Sequence, residues 1–284
     1  MRRLIFLGAA GVLILVVVIL SLLSAFGGKS DGQSTGNGTS SAVTEDGKLV
    51  IQDLYEGEIT IPKFNVPLNT YDQSKFKNDN GLVTYDDANA SLGIDVSDYQ
   101  GDIDWRQVRN DGVRYAFIRL GYRGYGTGVM MTDEYFEKNY KEARDAGVKV
   151  GVYFYSQAIN AEEAAEEAAF VLNAIRPYKV TFPVVFDWEI AGGSDARTYT
   201  VSRAVLCESA KTFCSAVEDA GYDAMIYFTQ YLGYRKYILR QLSDYEFWYA
   251  EYEAKPRIVF NFDMWQYSST GSVNGIDGDV DLNI

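Results

Sequence analysis

The sequence predicts a parallel α/β domain over residues 92–284, built either as a closed barrel or as an open sheet. Strand-like and helix-like stretches alternate along the chain from Leu92 onward, which is typical of folds with a parallel sheet. Two of the helix-like stretches stop at glycines, Gly147 and Gly221, as helix C termini commonly do. The hydrophobic fraction of 47% is enough for a sizeable core.

The individual elements follow from the spacing of apolar residues along the chain. The predicted strands are 92–97, 115–120, 148–155, 184–189, 224–228, 247–252, 264–268 and 279–284. The predicted helices are 105–111, 132–146, 161–175, 199–220 and 231–242. Thr132 is the predicted cap of the second helix, and the acidic run of helix 161–175 is predicted to be a solvated face. After residue 242 the alternation fades into strand-like pieces.

The chain before this domain has a different composition. Two arginines precede the apolar run Leu4–Phe26, which is long enough to cross a bilayer. Residues 1–26 are therefore interpreted as a cytoplasmic stub and a retained single-pass membrane anchor, with the rest of the chain outside the cell membrane. The alternative is a cleaved signal peptide and a secreted protein.

Two further segments separate this run from the α/β domain. Residues 27–48 are rich in Gly, Ser, Thr and Asn and are predicted to be a flexible linker. Residues 49–91 contain short apolar pieces interrupted by prolines. We interpret them as an irregular extension that packs on the main domain or leads into it.

Charge and composition exclude several functions. Lys and Arg number 26 against 39 Asp and Glu, and the formal charge of −13 argues against a nucleic-acid partner. The sequence contains no histidine, which excludes a histidine-based triad and an H-E-x-x-H zinc site. Without a histidine base, carboxylates or tyrosines must do any acid–base work. No metal or cofactor is expected.

A carboxylate pair ends the fourth predicted strand. In Val184-Val185-Phe186-Asp187-Trp188-Glu189 the two acids are two positions apart, so both point to the same face, about 7 Å apart along the strand. Such a pair tends to separate its pKa values, which suits cleavage of a glycosidic bond. The alternative is a strand end whose acids are solvated or bound to arginine. In a barrel, Asp95, Tyr155 and Tyr227 would reach the same mouth, which favours the functional interpretation.

Several motifs resemble one known family across residues 92–284. The chain is similar to the glycoside hydrolase family 25 lysozymes, the muramidases of the Chalaropsis type, whereas residues 1–91 lie outside the resemblance. The motifs are Gly93-Ile94-Asp95-Val96-Ser97, Tyr99-Gln100-Gly101, Ile103-Asp104-Trp105, Phe186-Asp187-Trp188-Glu189, Phe247-Trp248-Tyr249-Ala250-Glu251-Tyr252, Trp265-Gln266-Tyr267-Ser268-Ser269 and Gly275-Ile276-Asp277-Gly278-Asp279-Val280-Asp281-Leu282-Asn283.

The resemblance implies an irregular TIM-like barrel with fewer helices than strands. It also implies cleavage of the β-1,4 bond between N-acetylmuramic acid and N-acetylglucosamine in peptidoglycan. Glu189 is the implied general acid, and Asp187 is implied to orient the substrate acetamido group or to stabilise its intermediate. Asp95 and Asp281 complete the acidic ring. Many relatives carry a histidine where this chain has Tyr99, a departure that bears on local substrate contacts.

A second set of residues is predicted to line the sugar subsites. For each aromatic residue the alternative is a place in the barrel core. The predicted aromatic walls are Tyr153, Tyr155, Tyr227, Trp248 and Trp265, and the predicted polar contacts are Arg119 and Gln266.

The predicted partners are peptidoglycan glycan strands and, through the N-terminal helix, the membrane, with a monomeric catalytic domain. Three rival functions are weighed against this one. A chitinase-like barrel has acids where this chain has Phe182 and Val185. A catalytically silent, peptidoglycan-binding barrel is not favoured because all four acids are present. A metal-dependent deacetylase normally uses histidine ligands, which are missing here.

Overall fold

The computed structural model of the chain describes residues 42–43, 47–53, 56–63 and 66–284. The predicted anchor, 1–26, and most of the predicted linker, 27–48, lie outside these residues. Within the described ranges, no helix combines the length and the apolar character needed to span a bilayer.

Short antiparallel strands make up the N-terminal part of the described chain. The first three form one sheet and the last two form a hairpin. These strands are β1 (Ala42–Val43), β2 (Lys48–Asp53), β3 (Gly57–Pro62), β4 (Phe76–Asp79) and β5 (Leu82–Tyr85). The extension is thus more regular than expected, because its short apolar pieces pair with each other.

The rest of the described chain forms a barrel with helices outside it. The strands are β6 (Gly93–Val96), β7 (Tyr115–Arg123), β8 (Met130–Thr132), β9 (Lys149–Ser156), β10 (Val184–Trp188), β11 (Ala224–Thr229), β12 (Glu246–Ala250), β13 (Met264–Gly271) and β14 (Val280–Asn283). The helices are α1 (Trp105–Asn110), α2 (Phe136–Asp145), α3 (Ala161–Ile175) and α4 (Arg203–Asp219).

Eight of these strands close into a ring. Their order is β6-β14-β13-β12-β11-β10-β9-β7, and β7 pairs again with β6. Neighbours are parallel except at β14, which runs antiparallel to both β13 and β6. The alternation therefore corresponds to a closed barrel and not to an open sheet. The four α-helices beside eight barrel strands match the irregular barrel that the motifs implied.

Three predicted helices differ from the structure. The helix predicted for 199–220 is α4, which starts only at Arg203. Thr132 does not cap α2, because it ends β8 and pairs with Gly121 of β7; α2 starts later, at Phe136. The predicted helix 231–242 is instead a π-helical turn, Leu232–Lys236, followed by a 3-10 turn, Leu239–Gln241. Gly147 does end α2 as expected: its φ is +80°, a conformation that glycine adopts without strain.

The acidic run of α3 was expected to face solvent, and this expectation is wrong for its central part. Glu167 is 0% exposed, and its carboxylate accepts a 2.7 Å hydrogen bond from Nε of Arg123 on β7. Helical periodicity predicts which residues share a face of the helix. It does not show that Arg123 of β7 lies opposite that face and can pair with Glu167.

The extension covers the barrel where no α-helix does. The segment between β12 and β13 lacks an α-helix, and the extension crosses it through an antiparallel bridge between Leu68 and Phe260. The hydroxyl of Tyr71 donates to the carbonyl of Phe262 at 2.9 Å. The rings of Phe76 and Trp265 meet edge to face with centroids 5.5 Å apart. The extension thus supplies the outer layer that helices provide elsewhere.

Alternation along the strands separates two apolar layers. One set of side chains packs outside the ring against the helices and the extension. The other fills the barrel interior: Tyr115, Phe117, Val185, Met225, Tyr227, Trp248, Ala250 and Met264. Gly151 makes room for this filling, since a Cβ there would lie 2.5 Å from the Phe117 ring and 2.8 Å from the carbonyl oxygen of Pro183.

Candidate active site

Four carboxylates meet at the mouth of the barrel, where the parallel strands end. Asp95 lies near the end of β6, Asp187 near the end of β10, and Glu189 just after it. Asp281 is opposite Asp95 in the register of β14 and β6. It reaches the mouth from the start of its strand because β14 is antiparallel. The structure thus brings together all four acids that the motifs predicted.

Two amides hold Asp95 in place. Its Oδ2 accepts hydrogen bonds from Nε2 of Gln266 at 2.9 Å and from Nδ2 of Asn283 at 2.8 Å. Oε1 of Gln266 in turn accepts from the hydroxyls of Tyr227 and Tyr252, each at 3.1 Å. Burial raises the pKa of Asp95, and the hydrogen bonds from these amides oppose that rise.

Asp187 and Glu189 form a carboxyl pair that shares a hydrogen bond. Asp187 is 5% exposed. Burial raises its pKa well above the ordinary value, and the nearby charges of Glu189 and Asp95 add to the rise. Burial and then the charge of Asp95 raise the pKa of Glu189 to about 7. The pair therefore holds a proton at neutral pH.

Asp281 extends the same effect to the other side of the mouth. Burial and then the charge of Asp95 raise its pKa to about 9. Four carboxyls this close cannot all be ionised at neutral pH, because each charge disfavours the next one. Some of the four carboxyls at the mouth therefore stay protonated at neutral pH. Within the described part of the chain, no group of three or more His, Cys, Asp or Glu side chains has the arrangement of a metal site.

The predicted tyrosines surround these acids. Burial, followed by the charges of Glu189 and Asp187, raises the pKa of Tyr155. Burial is also the largest cause of the raised pKa of Tyr153. The charge of Arg119 opposes this rise, and the charges of Asp95 and Asp187 add to it. Burial raises the pKa of Tyr227 as well, so all three predicted tyrosines keep their hydroxyl protons, and Tyr227 donates a hydrogen bond to Gln266.

Comparison with known proteins identifies the family. Residues 94–276 match the model of "Glycosyl hydrolases family 25", which is more than half of the chain. The chain belongs to this family. The match confirms the predicted membership of glycoside hydrolase family 25.

Named relatives and a solved structure agree with this match. The chain is 29% identical over 193 residues to the autolytic lysozyme of Clostridium acetobutylicum, covering 67% of this chain and 54% of that protein. It is 28% identical over 214 residues to lysozyme M1 of Streptomyces globisporus, covering 69% and 68%. The structure of a family 25 glycosyl hydrolase from Bacillus anthracis superposes with a TM-score of 0.56 at 26% identity, covering 68% of this chain and 87% of that one. This chain spans about half the length of the clostridial relative.

Arg119 lies at the rim of this family 25 site, and two carboxylates of the same chain bind its side chain. Its Nε donates to Oδ2 of Asp133 at 2.8 Å, and its Nη2 pairs with Asp98 in the loop after β6. The rings of Tyr99 and Tyr122 each lie 5.3 Å from its Cζ atom. Arg119 thus anchors that loop, and its contact with substrate stays a prediction.

A bulge in β7 explains the place of Tyr122. The register with β9 shifts between Arg119 and Gly121, so residues 119 and 122 face the same side although a regular strand would separate them. This bulge was not predicted, since the predicted strand ends at residue 120. β7 in fact continues to Arg123.

The two predicted tryptophans occupy different layers of the family 25 barrel. Trp265 does not line the mouth: it is 0% exposed, donates from Nε1 to the carbonyl of Glu251 at 2.8 Å, and packs on the extension. Its neighbour Gln266 faces inward, so strand alternation turns Trp265 outward. Trp248 does lie inside the barrel, but it is buried, and its Nε1 donates to Oδ1 of Asn283 at 2.8 Å. It forms the floor of the site and not a wall.

Gln266, Asn283, Tyr227 and Tyr252 form a hydrogen-bonded frame around Asp95. Two residues of this frame were not predicted as site residues. Tyr252 is four positions after Trp248, and Asn283 is two after Asp281. Asp281 and Asn283 both belong to β14, so strand alternation places them on the same face, whereas Tyr252 lies after the end of β12. That signal could have identified Asn283.

Proposed function

We propose that the chain is a peptidoglycan hydrolase that cleaves the β-1,4 bond between N-acetylmuramic acid and N-acetylglucosamine. The observation that carries the proposal is the Asp187–Glu189 pair at the mouth of a family 25 barrel, with Asp187 buried and the pKa of Glu189 raised to about 7. A carboxylic acid that keeps its proton near neutral pH is what protonation of a glycosidic oxygen requires. The names of two relatives, both lysozymes, support the same substrate.

Glu189 is the general acid in this proposal. It transfers its proton to the glycosidic oxygen as the bond from that oxygen to the anomeric carbon breaks. Its carboxylate then accepts a proton from the water that completes hydrolysis, which restores the acid for the next cycle.

Asp187 orients the substrate and is not the nucleophile. Glycosidases that attack with a second carboxylate keep the two carboxyls about 5–5.5 Å apart, with the sugar between them, whereas Asp187 and Glu189 hydrogen-bond to each other. Oδ1 of Asp187 is buried and has no hydrogen-bond partner in the described part of the chain. It can therefore accept the N–H of the substrate acetamido group, whose carbonyl oxygen then attacks the anomeric carbon.

Mass spectrometry of fragments released from purified cell walls tests the proposal. The full chain, purified in detergent, is expected to release fragments with N-acetylmuramic acid at their reducing ends. Glu189→Gln serves as the matched inactive control. Reducing ends at N-acetylglucosamine would contradict the proposed bond. An absence of fragments would favour the catalytically silent, peptidoglycan-binding barrel.

We also propose that the N-terminal run Leu4–Phe26 keeps the enzyme on the outer side of the cell membrane as a monomer. The support is the apolar length of the run and the two arginines before it. N-terminal sequencing of the mature protein tests this proposal, since a start near Phe26 would indicate a cleaved signal peptide instead.

A further inference from the structure

The loop between β9 and α3 touches the end of β10 at two points. Nε2 of Gln157 donates to the main-chain carbonyl of Glu189 at 2.8 Å. Nε1 of Trp188 donates to the main-chain carbonyl of Ala158 at 2.9 Å. Trp188 is the last residue of β10 that pairs with β9. Glu189 thus lies just past the sheet, and the Gln157 amide holds its main chain.

The amide of Gln157 is itself fixed in one orientation. The side chain is 0% exposed, and Nε2 also donates to the carbonyl of Ser156 at 2.9 Å. Its Oε1 accepts from Oγ1 of Thr198 at 3.3 Å, and its main-chain carbonyl accepts from Nη1 of Arg197 at 3.1 Å. The partners precede Glu189 in the chain at Ser156 and follow it at Arg197 and Thr198. Because both ends of the Gln157 amide are hydrogen-bonded, the amide cannot rotate without breaking these contacts.

A cluster of charged side chains lies next to this loop, and two of them, Arg123 and Glu167, are buried. Oγ of Ser156 donates to Glu167 at 2.6 Å, and Arg123 donates to the other oxygen of the same carboxylate at 2.7 Å. Arg197 pairs with Glu163 at 2.6 Å. Breaking a buried ion pair is costly because it leaves a charge unpaired. The cluster is therefore a firm base for the loop that carries Gln157.

We propose that Gln157 is a positioning residue that holds Glu189 in the geometry needed to protonate the glycosidic oxygen. The inference rests on the proposed function, because it deepens the role of the same acid. It also gives a role to Glu163 and Glu167, the two acids of α3 that are at least partly buried. Glu163 binds Arg197, which donates to the carbonyl of Gln157, and Glu167 accepts from Ser156 at the end of β9.

Kinetics of Gln157→Met are the first part of the test. Methionine keeps the length of the side chain but removes the donor to Glu189. We expect kcat to fall about 10- to 100-fold, since small misplacements of a catalytic group have effects of this size, while KM stays nearly unchanged. Looser packing also admits water to Glu189, so the alkaline limb of the pH profile moves to lower pH. Thr198→Val, which frees only one contact of the amide, should give a smaller loss of kcat.

Asn139→Leu is the matched control. Asn139 is 0% exposed, and its Oδ1 accepts from Nε1 of Trp105 at 3.2 Å, away from the mouth. This variant should lose stability without a shift of the alkaline limb. If Gln157→Met keeps the kcat and the pH profile of the unmodified chain, the positioning role is overturned.

Hydrogen–deuterium exchange separates this inference from the proposed function. Amides of residues 189–192 should exchange faster in Gln157→Met than in the unmodified chain, and should be unchanged in Asn139→Leu. If the unmodified chain cleaves no glycan but this local change is seen, the proposed function fails and the positioning contact stands. If exchange at 189–192 is unchanged in Gln157→Met, the inference fails whatever the activity.

Discussion

The two halves of the barrel interior are built from the same strands but are filled differently. The half near the strand starts is packed with Phe117, Trp248 and other apolar side chains. The half near the strand ends carries Asp95, Asp187 and a hydrogen-bonded frame of amides and tyrosines. The apolar half excludes water from the side of the carboxyls that faces the barrel interior. This burial is the largest cause of the raised pKa values of Asp187 and Glu189.

The largest expected effect is that of removing the acid in the polar half. Glu189→Gln keeps the size of the side chain, but an amide cannot donate a proton to the glycosidic oxygen and then accept one from water. We expect the rate of wall cleavage to fall roughly 10²- to 10⁴-fold, as for other general acids. Release of reducing ends measures the rate. The assignment of Glu189 is wrong if the variant cleaves walls at the unmodified rate.

The next effect comes from the apolar half. Trp248→Ala should lower the free energy of unfolding by about 3–5 kcal/mol, as large buried aromatics do when truncated, because it opens a cavity and removes the donor to Asn283. Urea denaturation measures this loss.

Trp265→Ala is the matched control for the floor, since Trp265 is also fully buried but lies outside the ring. We expect a comparable loss of stability, but only Trp248→Ala should move the alkaline limb of the activity profile to lower pH. Equal shifts in the two variants would contradict a special role of the apolar half.

A third effect links the carboxyls to stability. The folded-state pKa is raised to about 7 for Glu189 and to about 9 for Asp281. Protonation of both groups therefore favours the folded state. The stabilisation is fully present below their unfolded pKa values and is lost as the pH rises through about 7 and then about 9. For Glu189 the change is on the order of 3 kcal/mol.

Urea denaturation at a series of pH values measures this loss. Asp281→Asn should flatten the upper part of the curve, because an amide does not ionise. Asp145→Asn, a change on the exposed end of α2, should leave the curve as it is. A stability that rises with pH over this range would contradict the raised pKa values.

The smallest effect concerns one charge within the polar half. The charge of Asp95 is the second cause, after burial, of the raised pKa of Glu189. In Asp95→Asn the alkaline limb of kcat/KM should therefore move to lower pH, by no more than about one unit, although the rate itself also falls. The pH profile of Asp145→Asn is the control. An unchanged limb in Asp95→Asn would mean that burial alone sets the pKa.

Prediction from the sequence succeeded where chemistry followed strand alternation or a motif. The bounds of α3 were predicted without error, and the four acids were assigned to one mouth. Prediction failed where a side chain's partner is distant in the chain. Glu167 looks like an ordinary surface charge in the sequence, and the predicted second strand stops at residue 120, before the end of β7. Neither the ion pair with Arg123 nor the pairing of β7 with β9 is a local property of the sequence.

The sequence by itself determined the alternation of strands and helices, the family motifs and the residues available for acid–base chemistry. These depend on local periodicity and residue type. Tertiary structure decided that the sheet closes, that Trp248 faces inward under the acids while Trp265 faces outward, and that the extension takes the place of a helix. It also decided the proton affinity of Glu189, since the burial and the charge of Asp95 that raise its pKa arise only when distant strands meet.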